Sequence, residues 1–416
     1  MLSFKRGVIL PEIKPGSKTK ISEMKLSSKL TLPLSQHIGK PAKPLVSEGE
    51  YVKKYQKIAE KNSAISANIH APASGTITQV SDNIVIETDG KDEGTAPGNS
   101  QETPGKEEII ERIREAGIVG LGGACFPTDV KLQPKNEIEE FILNGCECEP
   151  YLTTDHRLML EEPEKIIKGM KLMINACGAK KGIIAIEENK KDAYKKIQKL
   201  ANKENISTQL VKTKYPQGAE KMLIYALTKK KVPTGGLPAD VGCVVNNVAT
   251  AIAVCNAIHA NIPLIQRVVT VTGNVKKPMN IDVKLGTPVE ELLNKAGIKE
   301  GSKRVIMGGP MMGRALDSLQ EPIVKGTSGI TVLASSPPDY SHCIRCGDCV
   351  RACPMNLLPT KIAAFAQKEK FREADNIYAM DCIECGCCSY VCPSAIPLVQ
   401  YIKLAKEGIK NEVHKK

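Results

Sequence analysis

Two runs of cysteine set the chemistry that this chain can do. The first reads Cys343-Ile-Arg-Cys346-Gly-Asp-Cys349-Val-Arg-Ala-Cys353-Pro354, the second Cys382-Ile-Glu-Cys385-Gly-Cys387-Cys388-Ser-Tyr-Val-Cys392-Pro393. Each has the spacing C-x2-C-x2-C-x3-C-P. Three thiolates on a tight loop wrap one face of an iron–sulfur cubane, and the fourth cysteine of a run ligates the other cluster. On that pattern one cluster takes Cys343, Cys346, Cys349 and Cys392, and the other takes Cys382, Cys385, Cys388 and Cys353. Paired C-x2-C also builds structural zinc sites. A zinc site uses four thiolates, however, and leaves the doubled run ending in Cys-Pro without a reason. Cys387 is surplus to both sets and reads as a bystander. Two [4Fe-4S] clusters in series imply electron transfer.

A second group of residues lies mid-chain. Gly120-Leu-Gly122-Gly123 fits neither the G-x-G-x-x-G fingerprint nor a P-loop. It keeps company with three loops that follow predicted strands: Asn144-Gly-Cys-Glu147-Cys-Glu149-Pro, Tyr215-Pro-Gln-Gly218-Ala-Glu220 and Asn246-Asn247-Val-Ala-Thr250. Glycines let backbone N–H groups approach phosphate oxygens, and a nearby lysine supplies charge. Asparagine side chains suit the donor–acceptor edge of a flavin ring. Cys125, Cys146, Cys148, Cys177, Cys243 and Cys255 read as small packing residues. His37 and His70 read as packing histidines rather than ligands.

The elements that must position these residues fall into successive blocks. Residues 1–30 form a Lys-, Pro- and Ser-rich extension lying over a neighbour. Residues 31–90 alternate short β-rich pieces with turn signals, which predicts a small all-β sandwich. Residues 91–106 are a Gly/Pro/polar linker. From 107 to 262, helix Glu107–Ala116 is followed by alternating strands and helices, the pattern of an α/β layer with a largely parallel sheet. Ligands in such folds sit beyond the carboxyl ends of the strands, where the unusual loops fall. Residues 263–334 return to β-rich text around a helix at Pro288–Ala296, a β-grasp-like reading. Residues 335–416 carry the cysteine runs, bridged by a helix around Lys361–Ala374 and closed by a Lys-rich helical tail.

Composition narrows the function classes. The 416 residues are 42% hydrophobic and 25% charged, ordinary for a globular protein of several domains. Net charge is +12, but the lysines are spread along the chain, Trp is absent and Phe occurs five times. No stripe interleaves arginine with aromatics, so nucleic acid is not an expected partner. No apolar run is long enough for a transmembrane span, and the first residues lack the apolar stretch of a signal peptide. Thiolate-held clusters and unpaired thiols suit a reducing cytoplasm.

The mid-chain loops resemble those of the flavin- and NADH-binding subunit of respiratory complex I. Over almost its whole length the chain resembles the RnfC family, the NADH-side subunits of Rnf ferredoxin:NAD oxidoreductases. The motifs that carry it are Gly-Gly-Ala-Cys-Phe-Pro-Thr at 122–128, Asn-Gly-Cys-Glu-Cys-Glu-Pro at 144–150 and the two cluster runs. Residues 31–90 resemble a biotinyl/lipoyl hammerhead, with Ala71-Pro-Ala-Ser-Gly75 in its second half. The carrier lysine is missing from the matching Asn62-Ser-Ala-Ile-Ser-Ala, which implies docking without a prosthetic group. The implied fold is multidomain α/β plus α+β: hammerhead, Rossmann-like α/β FMN domain, SLBB-like β-grasp and a ferredoxin-like two-cluster domain.

The resemblance also implies a noncovalent FMN held by Gly120, Gly122, Gly123, Lys131, Asn144, Glu147, Asn246, Asn247 and Thr250. Phe126 would lie against the nucleotide, and Glu149 and Glu220, the latter on the Gly218 loop, would face NADH. The chain departs from the complex I pattern at Val119 and Leu121, where that pattern has arginines, at Cys146, where it has aspartate, and at Ala219, where it has glutamate. The implied role is a peripheral subunit at the cytoplasmic face of the membrane. It would exchange hydride with NAD(H) and single electrons with its clusters, alongside integral membrane and ferredoxin-like subunits. An RnfC-like subunit of a soluble NADH-dependent reductase (cobalamin reductase or proline reductase electron donor) and a non-catalytic iron–sulfur wire are the alternatives.

Overall fold

The computed structural model describes residues 1–94, 98, 104–204, 206–336 and 338–414. Much of the predicted linker 91–106 and part of the one at 335–339 lie outside the described residues.

The first block closes into two small sheets. Lys29–Pro33, Asn83–Thr88, Gly75–Val80 and Tyr51–Val52 form one, and Lys43–Pro44, Lys57–Glu60 and Ile69–His70 the other. Strict alternation along Lys-Leu-Thr-Leu-Pro sends Leu30 and Leu32 inward, where they meet Ile58, Ile69, Ile77, Ile84 and Ile86. Each such burial contributes about 1.5–3 kcal/mol before the entropy cost of ordering. His37 accepts the Ala67 amide at 3.1 Å, and His70 is buried.

The middle block is a four-stranded parallel sheet in the order Ser207–Val211, Lys181–Glu187, Glu140–Gly145, Cys243–Asn247. The central strand is Phe141-Ile142-Leu143 at its heart, apolar on both faces because helices cover both. Helices Pro163–Cys177 and Val248–Ala260 pack closely enough that a Cβ on Gly169 would stand 1.8 Å from the Ala251 carbonyl oxygen. Chain order reverses between Glu140–Gly145 and Cys243–Asn247, which opens a crevice at their carboxyl ends. Helix Thr154–Glu161 was not expected. Its N-cap, Thr153, makes no side-chain cap bond, and its first amides are held instead by Glu147 from the preceding loop.

The third block is a six-stranded mixed sheet over helix Val289–Ala296. Its edge strand, Ile21–Glu23, comes from the N-terminal extension and pairs in parallel with Met279–Lys284. In the cysteine block, the single bridging helix expected around Lys361–Ala374 is two helices, Pro359–Ala366 and Phe371–Asp375. The turn between them puts Glu369 at φ 53°, a left-handed conformation that ends helical hydrogen bonding. The final helix, Leu398–His414, packs on both.

Candidate functional site

The four loops named from sequence converge at the crevice. Asn247 and Asn144 are register partners on adjacent strands. Asn247 caps the helix that follows, its Oδ1 accepting the Ala249 amide at 2.8 Å, while its Nδ2 donates to Asp155 Oδ2 at 2.7 Å. The glycine loop arrives from the other side. A Cβ on Gly122 would meet Asn247 at 3.1 Å, and the Leu121 amide donates to Thr250 Oγ1 at 3.0 Å. Gly122, Gly123 and Ala124 are exposed at the rim, with Phe126 half-buried below them. Asn144 donates to the Gly218 carbonyl at 2.8 Å, and a Cβ on Gly218 would stand 2.3 Å from the Cys146 carbonyl oxygen, so glycine alone fits there. Lys131 and Glu220 form an ion pair at 2.5 Å.

The acidic loop 147–149 is more committed than the sequence suggests. Glu147 spends both oxygens on the amides of Asp155 and His156, at 3.0 and 3.3 Å, capping helix Thr154–Glu161. Glu149 Oε1 accepts the amides of Met311 and Met312, at 2.7 and 3.0 Å, tying this loop to the Gly308–Gly313 loop of the third block. Burial pushes the Glu149 carboxyl up. Burial, with the Glu147 charge beside it, pushes Asp155 up to about 7. Cys148 is not mere filler, since its Sγ accepts the Gly218 amide at 3.3 Å. Asp155 carried no sequence signal. Its importance comes from a contact between loops far apart in the chain.

The crevice fits a flavin nucleotide. Among the described residues the buried Asn246 Nδ2 has no hydrogen-bond partner, although such groups are almost always paired. The glycine loop leaves open space where a Cβ of Gly123 would stand, and the start of helix Val248–Ala260 offers the positive end of its dipole.

The cysteine runs enclose two cavities. One is lined by Cys353, Cys382, Cys385, Cys387 and Cys388. The other is lined by Cys343, Cys346, Cys349 and Cys392. In the second, three thiols of one run meet the last cysteine of the other, and in the first Cys387 stands beside such a set. Among the described residues no imidazole or carboxylate lines either cavity, and thiolate-only donors suit iron–sulfur clusters. Nor, among the described residues, do three His, Cys, Asp or Glu side chains converge on a single-ion site.

The two cavities differ in exposure. Cys385 and Cys388 are buried, whereas Cys343 and Cys346 are exposed. Burial pushes Cys382 to about 11 and Cys388 to about 12, so loading must displace protons. Cys385 is lowered, chiefly because Cys387 donates to it, and Cys387 is correspondingly raised. The inner cavity abuts the middle block, where the Tyr215 phenol donates to the Cys385 carbonyl at 2.6 Å.

Comparison with known proteins follows this division. Residues 2–94 match the RnfC barrel sandwich hybrid domain, 113–256 the Nuo51 FMN-binding domain, 268–315 the SLBB domain and 342–396 the 4Fe-4S dicluster domain. The corresponding component of the proton-translocating ferredoxin:NAD(+) oxidoreductase complex of Clostridium ljungdahlii is 43% identical, over 97% of this chain and 93% of that protein. The chain belongs to the RnfC family. Its relative in the Na(+)-translocating ferredoxin:NAD(+) oxidoreductase complex of Acetobacterium woodii is 39% identical, over 98% of this chain and 97% of its own length. The relative in the ion-translocating oxidoreductase complex of Pseudomonas aeruginosa is also 39% identical, but this chain spans 56% of that longer protein. A chain of an NAD+-reducing [NiFe]-hydrogenase shares the fold with a TM-score of 0.52 and 21% identity, over 66% of this chain and 55% of its own. The four-part architecture expected from sequence is the architecture of the RnfC family.

Proposed function

We propose that this chain is the NAD(H)-side subunit of an ion-translocating ferredoxin:NAD oxidoreductase, carrying FMN between loops 120–131, 144–149, 218–220 and 246–250 and two [4Fe-4S] clusters behind it. The observation that carries this reading is the 2.6 Å bond from Tyr215, on a flavin-site loop, to Cys385 of the inner thiol cavity. A bound flavin takes up two electrons with a hydride and passes them on singly. The chain's own residues supply the rest. The amides around Gly120, Gly122 and Gly123 and the capped start of helix Val248–Ala260 suit a phosphate. Asn246 Nδ2 has a hydrogen bond to give, and Asn247, Asn144 and Thr250 hold the loops in register. Lys131, Glu220 and Phe126 line the nucleotide side. Glu147 and Glu149 act through the amides they hold, fixing the loop that NAD(H) would meet.

Cys353, Cys382, Cys385 and Cys388 would hold the cluster nearer the flavin loops. Cys343, Cys346, Cys349 and Cys392 would hold the exposed one, accessible to a ferredoxin-like partner. Among the described residues no helix is long and apolar enough to cross a membrane, so attachment runs through integral membrane partners. The chemistry of free thiols and NAD(H) supports the cytoplasmic face. Anaerobic purification with flavin and iron quantified, and NADH-dependent dye reduction measured, tests the reading. About one FMN and two cubanes per chain are expected from the motif count. Material without flavin, or with zinc in place of iron, refutes it.

A further inference from the structure

The N-terminal residues carry no motif, yet they touch every part of the electron-transfer core. Leu2 lies parallel to Val211 at the edge of the flavin-domain sheet, and its carbonyl accepts the Lys212 amide at 3.0 Å. Ser3 Oγ donates to buried Gln217 at 3.2 Å. Val8 and Tyr215 exchange both backbone hydrogen bonds, each at 2.9 Å. The Ile13 carbonyl accepts the Tyr151 amide at 2.7 Å. Lys14 then donates to three carbonyls of the acidic loop, Glu147 at 2.9 Å, Glu149 at 2.8 Å and Leu152 at 2.6 Å. Its stem is half-buried, but its ammonium lies under the loop, where an NH3+ group with three donors has all three satisfied. Beyond it, Asn280 of the third block donates to the Gly16 carbonyl at 2.9 Å.

The same segment grips the cluster domain. The Gly7 amide donates to the Ala352 carbonyl at 3.0 Å, and the Arg6 guanidinium donates to the Val350 carbonyl at 2.8 Å. Ala352 immediately precedes Cys353, the thiol that crosses into the inner cavity. Cys385, in the other run lining that cavity, is held through its carbonyl by Tyr215. Both runs that build the inner cavity are therefore registered on Tyr215, one directly and one through Gly7 and Val8. Gly7 has φ +74°, and a Cβ there would come within 2.5 Å of the Tyr215 carbonyl oxygen, so the segment passes as close to the flavin domain as a backbone can.

We propose that residues 2–16 are a positioning clamp for electron transfer, fixing the inner cluster cavity against the flavin loops with Lys14 as its anchor. The inference rests on the flavin-and-cluster reading above. A clamp of this kind sets the separation across which electrons pass, and leaves the exchange between nicotinamide and flavin alone. A purely structural strap would affect stability or cofactor content without separating those two steps.

The test uses Gly7→Ala and Arg6→Gln in the full chain, prepared anaerobically with its cofactors. Stopped-flow mixing with NADH follows flavin bleaching and cluster bleaching as separate phases. Flavin bleaching should keep the parent's rate. Cluster bleaching should slow severalfold in Gly7→Ala, since electron tunnelling weakens with each ångström of added separation, and by less in Arg6→Gln. If both phases keep parental rates at parental flavin and iron content, or both slow together, the clamp is refuted. Should Gly7→Ala lose iron, Arg6→Gln, altered on an exposed side chain, decides by the same two rates. A parent protein without flavin or iron would instead overturn the reading beneath it.

Discussion

Replacing Asp155 with asparagine should remove a pH-dependent weakness from the flavin domain. Asp155 accepts a 2.7 Å bond from Asn247, and burial together with the Glu147 charge pushes its carboxyl from 3.8 to about 7. Between those values the folded chain holds a proton that the unfolded chain has released. Stability is therefore full below the lower value and falls as pH rises to the upper one, by up to ~1.4 kcal/mol per pH unit. From pH 5 to pH 7 the loss is about 2–3 kcal/mol, less whatever Glu147 absorbs by sharing the proton. Asparagine keeps an oxygen for Asn247 and carries no charge, so its contribution does not change over this range. At ~2–4 °C per kcal/mol for a unit of this size, Asp155→Asn should gain about 5 °C in Tm relative to the parent between pH 5 and pH 8. Scanning calorimetry of anaerobic protein reads this directly. A Tm difference that stays constant, or moves the other way, would refute the assignment of a proton-holding carboxyl at this position.

Three further outcomes are expected. Cys392→Ala should remove about half of the iron and leave NADH-dependent reduction of the inner cluster intact by EPR, whereas Cys353→Ala should remove the inner cluster and leave the outer one unreduced by NADH. Glu149→Gln weakens two charge-assisted bonds to Met311 and Met312, about 1–3 kcal/mol in all; hydrogen exchange at those two amides should accelerate while the Asp155 amide, held by Glu147, stays protected. Gly218→Ala places a methyl 2.3 Å from the Cys146 carbonyl oxygen, so the loop must shift, and flavin content on purification should fall with iron unchanged.

Local spacing made the cysteine runs legible, because a cubane needs its ligands a fixed few residues apart. The structure brings the last thiol of each run to the other cavity, a crossing that the spacing alone implied. The alternating strands and helices of the middle block were legible for a similar reason, with periodicity marking the elements and Gly178 ending helix Pro163–Cys177. What the chain did not display were contacts between distant segments. Asp155 lies in Thr-Thr-Asp-His-Arg, which has no motif, and matters because Asn247 reaches it. Glu149 stood in a recognised loop, but its partners are amides of Met311 and Met312, in another block altogether. Lys14 sits in a Lys- and Pro-rich stretch where composition suggested only a covering segment. The bridge is two helices rather than one, and Glu369 has no residue type that announces the left-handed turn between them.

The extension's route has a consequence for how the molecule is built. Its anchors lie at 211–217, 279–284 and 350–352, so the part synthesised first cannot settle until nearly everything else has been made. During that interval the sheet edges at Ser207–Val211 and Met279–Lys284 stand uncovered, and open edges invite pairing with other chains. Ala352 and Val350 take their final places only when the loop carrying Cys349 and Cys353 is ordered, and metal insertion orders such loops. Maturation on this view runs backwards along the polypeptide: the C-terminal cysteines acquire their iron, and the oldest residues then close over them as a seal on a finished assembly.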